Sequence, residues 1–340
     1  DGDGTISEEE AVRENGYNAW SPRLAKAAYN YQASLKDPGR FAHGGKYIIQ
    51  LLYDSIEDLN EAIAAPVDLT NARRIDHGHF AGSEEAFRHW DEDGAVPGSC
   101  SKCHSAEGLP QFIHEGVNTS QPPANGLMCG TCHNDVSAFT IYEVESVDFP
   151  SGATLSFEDP ASNLCINCHQ GRESTVSVNR AIGDSPDDEL AEGLSFRNVH
   201  YFAAGATLFG GEAQGAYEFD GQEYVGRNEH VGGFDTCVEC HSIHMLEVEV
   251  EECADCHEGV ETKEDLHSIR VSEVDYDGDG DVEEGIAGEI DTIAEALLVA
   301  IQANAVANPA TDPIVYDSQG YPYFFIDTNG DGEPTPDEAN

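Results

Sequence analysis

Basic residues are scarce. Sixteen Lys and Arg face 65 Asp and Glu, a formal net charge of −49 over 340 residues. Such a surface repels nucleic-acid phosphates and anionic bilayers, which argues against both as partners. It favours cations and cationic partners, and it equally fits plain solvation or a salty medium. No run of eighteen apolar residues occurs, so no membrane span is expected. Methionine is limited to Met128 and Met245. No cysteine stands outside one repeated pattern, which leaves none for a disulfide framework. No signal peptide is visible.

The pattern itself is Cys-x-x-Cys-His, and it consumes all ten cysteines. The copies are Cys100, Cys103 and His104; Cys129, Cys132 and His133; Cys165, Cys168 and His169; Cys237, Cys240 and His241; Cys253, Cys256 and His257. Two thiols three residues apart on one turn can each bond a vinyl group of one porphyrin, and the adjacent histidine then lies under the iron as its proximal ligand. Zinc sites also use Cys-x-x-Cys but do not require histidine next in every copy. Disulfides would not produce a uniform spacing. Five covalent haem c groups are the expected cofactors. Attachment of that kind takes place outside the cytoplasm, so the chain is expected to derive from a secreted precursor. Each haem is a large apolar slab that would replace much of an ordinary core.

At these motifs the sequence resembles the multihaem c-type cytochromes, over roughly residues 77–257. The phrases GHFAGSEEAFRHWDEDGAVPGSCSKCH and CINCHQGRES are similar to those of extracellular multihaem cytochromes of bacteria and archaea, some of which polymerise into conductive filaments. The resemblance implies a loop-rich fold of short helices and a few β-hairpins around a haem-dominated core, with subunits touching through their haems.

Five proximal histidines leave nine others, against two methionines. Five second axial ligands are therefore expected to be histidines, and a shortage of axial methionine implies low potentials. His244, three residues after His241 in CVECHSIH, cannot comfortably reach the far face of its own haem and is placed to ligate a neighbouring one, locking two porphyrins together. His200 and His230 lie in the long haem-free span between the third and fourth motifs, which delivery of ligands would explain. His79 precedes the first motif, with His77 as its rival. His43 is read as lying in a glycine-bordered loop before a helix. His89, His114 and His267 read as ordinary residues. Any of these histidines can also be a plain surface or hydrogen-bonded residue, and a ligand can come from a neighbouring subunit.

The chain divides on paper into residues 1–97, a helical segment; 98–257, the haem region; and 258–340, an acidic segment. Ser21 and Pro22 mark a helix start, Leu24, Ala27, Ala28, Tyr31 and Leu35 follow at helical spacing, and Asp37-Pro38-Gly39 stops it. Ile48, Leu51, Leu52, Ile56, Leu59 and Ile63 share one face of a second helix ended by Pro66. Ile290, Ile293, Leu297, Leu298 and Ile301 make an amphipathic third. Hairpins are expected around Ser151-Gly152 and Asp220-Gly221, and residues 247–252 read as an edge or linker. The motifs start 29, 36, 72 and 16 residues apart, too irregular for a solenoid.

Three acidic stretches resemble EF-hand calcium loops. In DTNGDGEPTPDE, Asp327, Asn329 and Asp331 offer oxygens, Gly332 the turn, Glu333 a carbonyl and Glu338 a closing carboxylate; Pro334 argues against pairing with a second loop. In DYDGDGDVEEGI, Asp275, Asp277, Asp279 and Asp281 are in place, and Glu284 is the expected closing carboxylate. The opening DGDGTISEEE supplies Asp1, Asp3, Thr5 and Glu10, with its first ligand upstream. Two or three structural calcium ions are expected, against the alternative of acidic turns in an acidic protein.

The reading that follows is a non-enzymatic electron carrier outside the cell or on its surface, exchanging electrons with redox proteins or extracellular acceptors and forming a homopolymer. Its competitors are a nitrite or sulfur-oxyanion reductase with one open haem, and a soluble periplasmic shuttle.

Overall fold

A computed structural model describes residues 16–69, 72, 74, 84–309, 311–318, 320–335 and 338. Two compact units result, Asp1–Gly78 and His79–Asn340. His77, His79, Asp1, Asp3, Thr5 and Glu10 lie outside the described residues.

In the first unit, α1 (Pro22–Lys36) and α2 (Arg40–Asn60) form an antiparallel hairpin. The Ser21 hydroxyl accepts from Leu24 N, and Pro22 takes the first helical position, where no amide is needed. Asn30 donates to Ser55 across the pair at 3.0 Å, and Arg23 pairs with Asp58 at 3.2 Å. Past α2, Asn60 brackets Val67 with two hydrogen bonds, and Arg74 reaches back to Asp54 at 2.6 Å. The start of α2 corrects the expected loop: His43 lies inside the first turn of the helix, ahead of a kink at Gly44.

The second unit is built of short pieces. Its helices are α3 (Glu84–Arg88), α4 (Gly98–His104), α5 (Gly108–Glu115), α6 (Cys129–Cys132), α7 (Pro160–His169), α8 (Thr175–Ile182), α9 (Ala204–Phe209), α10 (Cys237–Cys240), α11 (Val250–Ala254) and α12 (Ile286–Ala307). Three two-stranded antiparallel sheets pair β1 (His133–Asp135) with β2 (Thr140–Ile141), β3 (Val147–Asp148) with β4 (Thr154–Leu155), and β5 (Ile314–Tyr316) with β6 (Phe324–Ile326). This is the expected loop-rich pattern of short helices and small hairpins.

The protein core is small. Val147, Phe149, Phe157, Ile166, Phe209 and Ala213 make one cluster, and Leu109, Tyr142 and Leu164 another. α7 lies between them. Asp159 caps it by accepting from the amides of Ala161 and Ser162, with Pro160 at the first position. Buried Asn163 accepts from Phe157 N and donates to Val144 O, both at 2.8 Å, which staples the β3–β4 hairpin to the helix. Arg227 lies over Phe157, 4.4 Å from the ring centre.

Expectations for three other segments need correction. The turn at Asp220-Gly221 forms, with Gln222 N donating to Phe219 O at 3.2 Å, but no ladder follows it. Its arms are taken by other partners: Ala216 O accepts from the Thr175 hydroxyl and Val225 O from Gly211 N. Residues 247–252 give only a single bridge, His241 to Val248, before the chain turns into α11. The predicted third helix exists as α12, but Ile290, Leu297 and Val299 on it are about 60 % exposed or more. By length and composition α12 is also sufficient to cross a bilayer, although Glu289, Asp291, Glu295, Gln302 and Asn304 interrupt its apolar run.

Candidate functional site

Each Cys-x-x-Cys-His motif sits on one helical turn, and each turn is held by a different local device. Thr131 caps α6 by accepting from Met128 N at 2.9 Å and donating to Ala106 O at 2.8 Å. Glu239 closes α10 from inside, accepting from the amides of Asp235 and Thr236 at 2.9 Å each. Those bonds hold its carboxyl below the usual range. The fifth motif continues α11 by one turn, with His257 N donating to Cys253 O at 2.9 Å. The ten cysteines form no disulfide.

Three of the expected distal histidines stand opposite proximal ones. The ring centres are 5.8 Å apart for His104 and His200, 6.4 Å for His133 and His244, and 6.1 Å for His257 and His230. Two imidazoles bound on opposite faces of one metal ion, each at about 2 Å, leave their ring centres roughly 6 Å apart. The pairs therefore fit the two axial positions of a haem iron, with the attaching cysteines beside them. Burial lowers the affinity of His104 and His200 for protons, which keeps the neutral, metal-binding form.

The pairing crosses the chain order. His244, next to the fourth motif, faces the second. His230, ahead of the fourth motif, faces the fifth. His169 of the third motif donates from Nδ1 to Phe202 O at 2.8 Å, which fixes its tautomer and leaves Nε2 for a metal. His200 and Phe202 both hold positive φ, 80° and 49°. Such conformations of bulky residues cost about 1–3 kcal/mol each and persist only where the surroundings enforce them. His43 is exposed and its Nδ1 pairs with Asp37 at 2.8 Å; that bond is the main cause of the lowered Asp37 pKa. His114 packs on Tyr142 and His89 on Trp90.

Cysteines of different motifs lie near enough to influence one another's ionisation, Cys103 with Cys168 and Cys165 with Cys237. As free thiols, Cys103 and Cys237 are pulled down to about 7 by the hydrogen bond each accepts, and their donors Cys168 and Cys165 are pushed up.

The acidic loops are formed as well. Asp327 accepts from Gly330 N and Gly332 N, and Glu338 reaches back to Thr328 N at 2.8 Å. In the other loop Asp275 accepts from Gly278 N and Gly280 N in the same register. The residue that reaches back there is Glu289, accepting from Tyr276 N at 2.7 Å and Asp277 N at 2.8 Å. Glu289 thus holds the place of Glu338, three positions later than a twelve-residue loop would put it. It is buried against Arg270 at 2.6 Å. Carboxylate oxygens of Asp275, Asp277 and Glu289 converge, as do those of Asp277, Asp279 and Glu284. Burial, then repulsion from Asp277 and Asp279, raises the Glu284 pKa. Glu289 escaped sequence reading because it falls outside the expected spacing, and the Phe202 carbonyl because a backbone acceptor leaves no trace in residue type.

The sequence profile described as "Cytochrome c7 and related cytochrome c" matches residues 85–170, which hold the first three motifs. The C-type polyheme cytochrome OmcB of Geobacter sulfurreducens is 30 % identical over 174 residues, covering 41 % of this chain and 22 % of that protein. The C-type polyheme cytochrome OmcC of the same species is 26 % identical over 230 residues, covering 56 % and 27 %. The chain thus spans about a quarter of the length of these curated relatives. No solved structure matches. Motifs that consume every cysteine, imidazoles set across from one another at metal-spanning distance, and relatives of the same kind agree: the chain is a multihaem c-type cytochrome, with haem c held covalently.

Proposed function

We propose that this protein carries electrons outside the cell through five bis-histidine haem c groups, as the subunit of a cytochrome filament. The observation that carries the reading is the set of three opposed imidazole pairs. His200 serves the first motif, His244 the second and His230 the fifth; His43 and His79 are the remaining distal candidates. Bound haem supplies one-electron cycling of its iron. The chain supplies ligation, spacing and burial, and thereby the potentials. Neutral imidazoles on both faces leave no open position for substrate, so transfer rather than catalysis is favoured.

Assembly is supported by apolar surface at both ends of the chain. Tyr29 and Tyr47 of the first unit are 74 % and 63 % exposed, and α12 shows Ile290 and Leu297 at 60 % each. Two calcium ions, at Asp275, Asp277, Asp279, Asp281, Glu284 and Glu289 and at Asp327, Asn329, Asp331, Glu333 and Glu338, would neutralise clustered carboxylates near α12. Extracellular redox proteins and acceptors are the partners this reading implies.

An EPR spectrum of the oxidised protein, with haem quantified in the same sample, tests the reading. Five low-spin haems are expected. A high-spin signal means an open iron and moves the protein toward a nitrite or sulfur-oxyanion reductase. Electron micrographs showing only monodisperse particles at high concentration would remove the filament.

A further inference from the structure

The stretch 194–200 delivers the second ligand expected at the first motif, yet it has no regular structure of its own. His200 stands opposite His104 and holds a φ of 80°. A bulky residue keeps such a conformation only where its surroundings enforce it. Local bonds supply part of the restraint. The Asn198 side chain accepts from His200 N at 2.9 Å, and Val199 O accepts from Arg172 N at 3.0 Å. Both act on the backbone; neither touches the imidazole.

The hairpin of β5 and β6 reaches this stretch from 122 positions along the chain. Its strands pair over three residues, with Val315 buried between the hairpin and the body of the unit. The connection between the strands fixes Tyr323. Its N donates to Gly320 O at 2.7 Å, its O accepts from Asp317 N at 2.8 Å, and its φ is 73°. The side chain of Tyr323 is buried, and its hydroxyl shares a hydrogen bond with that of Tyr201. Tyr201 in turn sets its ring against the His200 imidazole, with centres 5.1 Å apart. Two further contacts join the same parts of the fold. Phe196 meets Phe324 edge-on at 4.9 Å, and the Asn308 side chain donates to Asp188 O at 3.1 Å.

We propose that Tyr323 is the positioning residue for the second axial ligand of the first motif, holding His200 through Tyr201, so that the C-terminal hairpin is a clamp on one haem. This rests on the haem reading above. Groups that touch a metal-bound imidazole fix its plane and its reach, and through these how firmly it holds the iron. Tyr201 is 59 % exposed, so packing alone does not fix its ring; the buried phenol of Tyr323 anchors it from the far end. The hairpin itself carries neither a Cys-x-x-Cys-His motif nor a distal candidate. Its part in electron transfer is to keep one ligand, borne on an irregular stretch, at a single orientation.

The test uses the haem-loaded full chain. Three readouts are taken: EPR of the oxidised protein, a redox titration followed by EPR, and carbon monoxide uptake by the reduced protein. His200→Ala comes first and should turn one haem high-spin. No change at any haem overturns the ligation reading, and the clamp with it. Tyr323→Phe keeps the ring and its packing and removes only the hydroxyl. It should shift the EPR signal and midpoint potential of the haem that His200→Ala alters, and leave the other haems in place. Carbon monoxide uptake at that haem waits on release of His200, and should quicken about two- to tenfold, the worth of one net hydrogen bond. The matched control is Tyr224→Phe, whose hydroxyl accepts from Phe219 N at 3.0 Å. It also loses a hydrogen bond, so it should lower the melting temperature without moving any haem signal. If His200→Ala alters a haem and Tyr323→Phe does not, the clamp is overturned while the ligation stands; the same holds if Tyr323→Phe and Tyr224→Phe shift the haem alike. Tyr201→Phe should give the shift seen with Tyr323→Phe, and the double variant no more than either alone. Additive shifts overturn the route through Tyr201. Should Tyr323→Phe fail to load its haems, Tyr201→Phe decides by the same readouts.

Discussion

At the scale of single residues, the constraints lie where backbone and side chain meet around the motifs. Gly108 follows the first motif with no room for a side chain: a Cβ there would stand 1.9 Å from Ser101 O. Gly108→Ala must push α5 away from α4, and we expect a lower melting temperature together with a disturbed Soret band. An unchanged melt would show that the contact is soft. Asp54 gives the residue-scale pH dependence. Its hydrogen bond from Arg74 lowers its pKa below the unfolded value of 3.8. The stability this provides is present above pH 3.8 and is lost as pH falls through the lower, folded value. Asp54→Asn should therefore bring acid melting of the first unit, followed by helical circular dichroism, to a higher pH. Both groups are partly exposed, so the effect is expected to be small.

At the scale of elements, α7 and its hairpin form the part of the second unit that protein atoms hold by themselves. Phe209, 2 % exposed, packs edge-on against Phe149 at 5.6 Å and in a tilted contact against Phe157 at 5.2 Å. Phe209→Ala should cost about 3–5 kcal/mol by lost burial and the cavity it leaves, read as a shifted denaturant midpoint. A shift of a few tenths would mean that the haems, not this cluster, carry the stability. The acidic loops flank α12 and make a different prediction. Chelator should lower the melting temperature without bleaching the haems, because the cation would screen Glu284 from Asp277, Asp279 and Glu289. Glu289→Gln should lose more of this calcium response than Glu284→Gln, since only Glu289 reaches back to the loop amides. The reverse order would restore Glu284 as the closing ligand.

For the whole molecule, charge is the governing quantity. A formal −49 spread over 340 residues opposes contact between copies. Screening shortens the reach of that repulsion to about 10 Å at 0.1 M salt. Self-association, followed by light scattering of the loaded protein, should thus be weak in dilute buffer and rise with sodium chloride or with calcium. Association that falls as salt rises would mean that attraction between unlike charges, rather than the exposed tyrosines and α12, joins the subunits.

The sequence by itself determined the cofactor chemistry and the local punctuation. Cysteine spacing is a covalent requirement, legible wherever it occurs, and caps such as Ser21-Pro22 or a turn such as Ser151-Gly152 act within a few residues. The excess of histidine over methionine settled the kind of second ligand expected, and named His200, His230 and His244. Only the tertiary structure decided which proximal histidine each one faces, because that depends on long loops bringing residues 96 and 111 positions apart into contact, as with His104 and His200 or His133 and His244. It decided likewise that Asp220-Gly221 makes a turn without a sheet, since both arms find better partners elsewhere. Glu289 belongs to the same class: a carboxylate closes a loop when it can reach the amides, and reach is set by how α12 begins, not by counting residues. Local chemistry is written in neighbouring residues, while the meeting of distant ones is settled by packing.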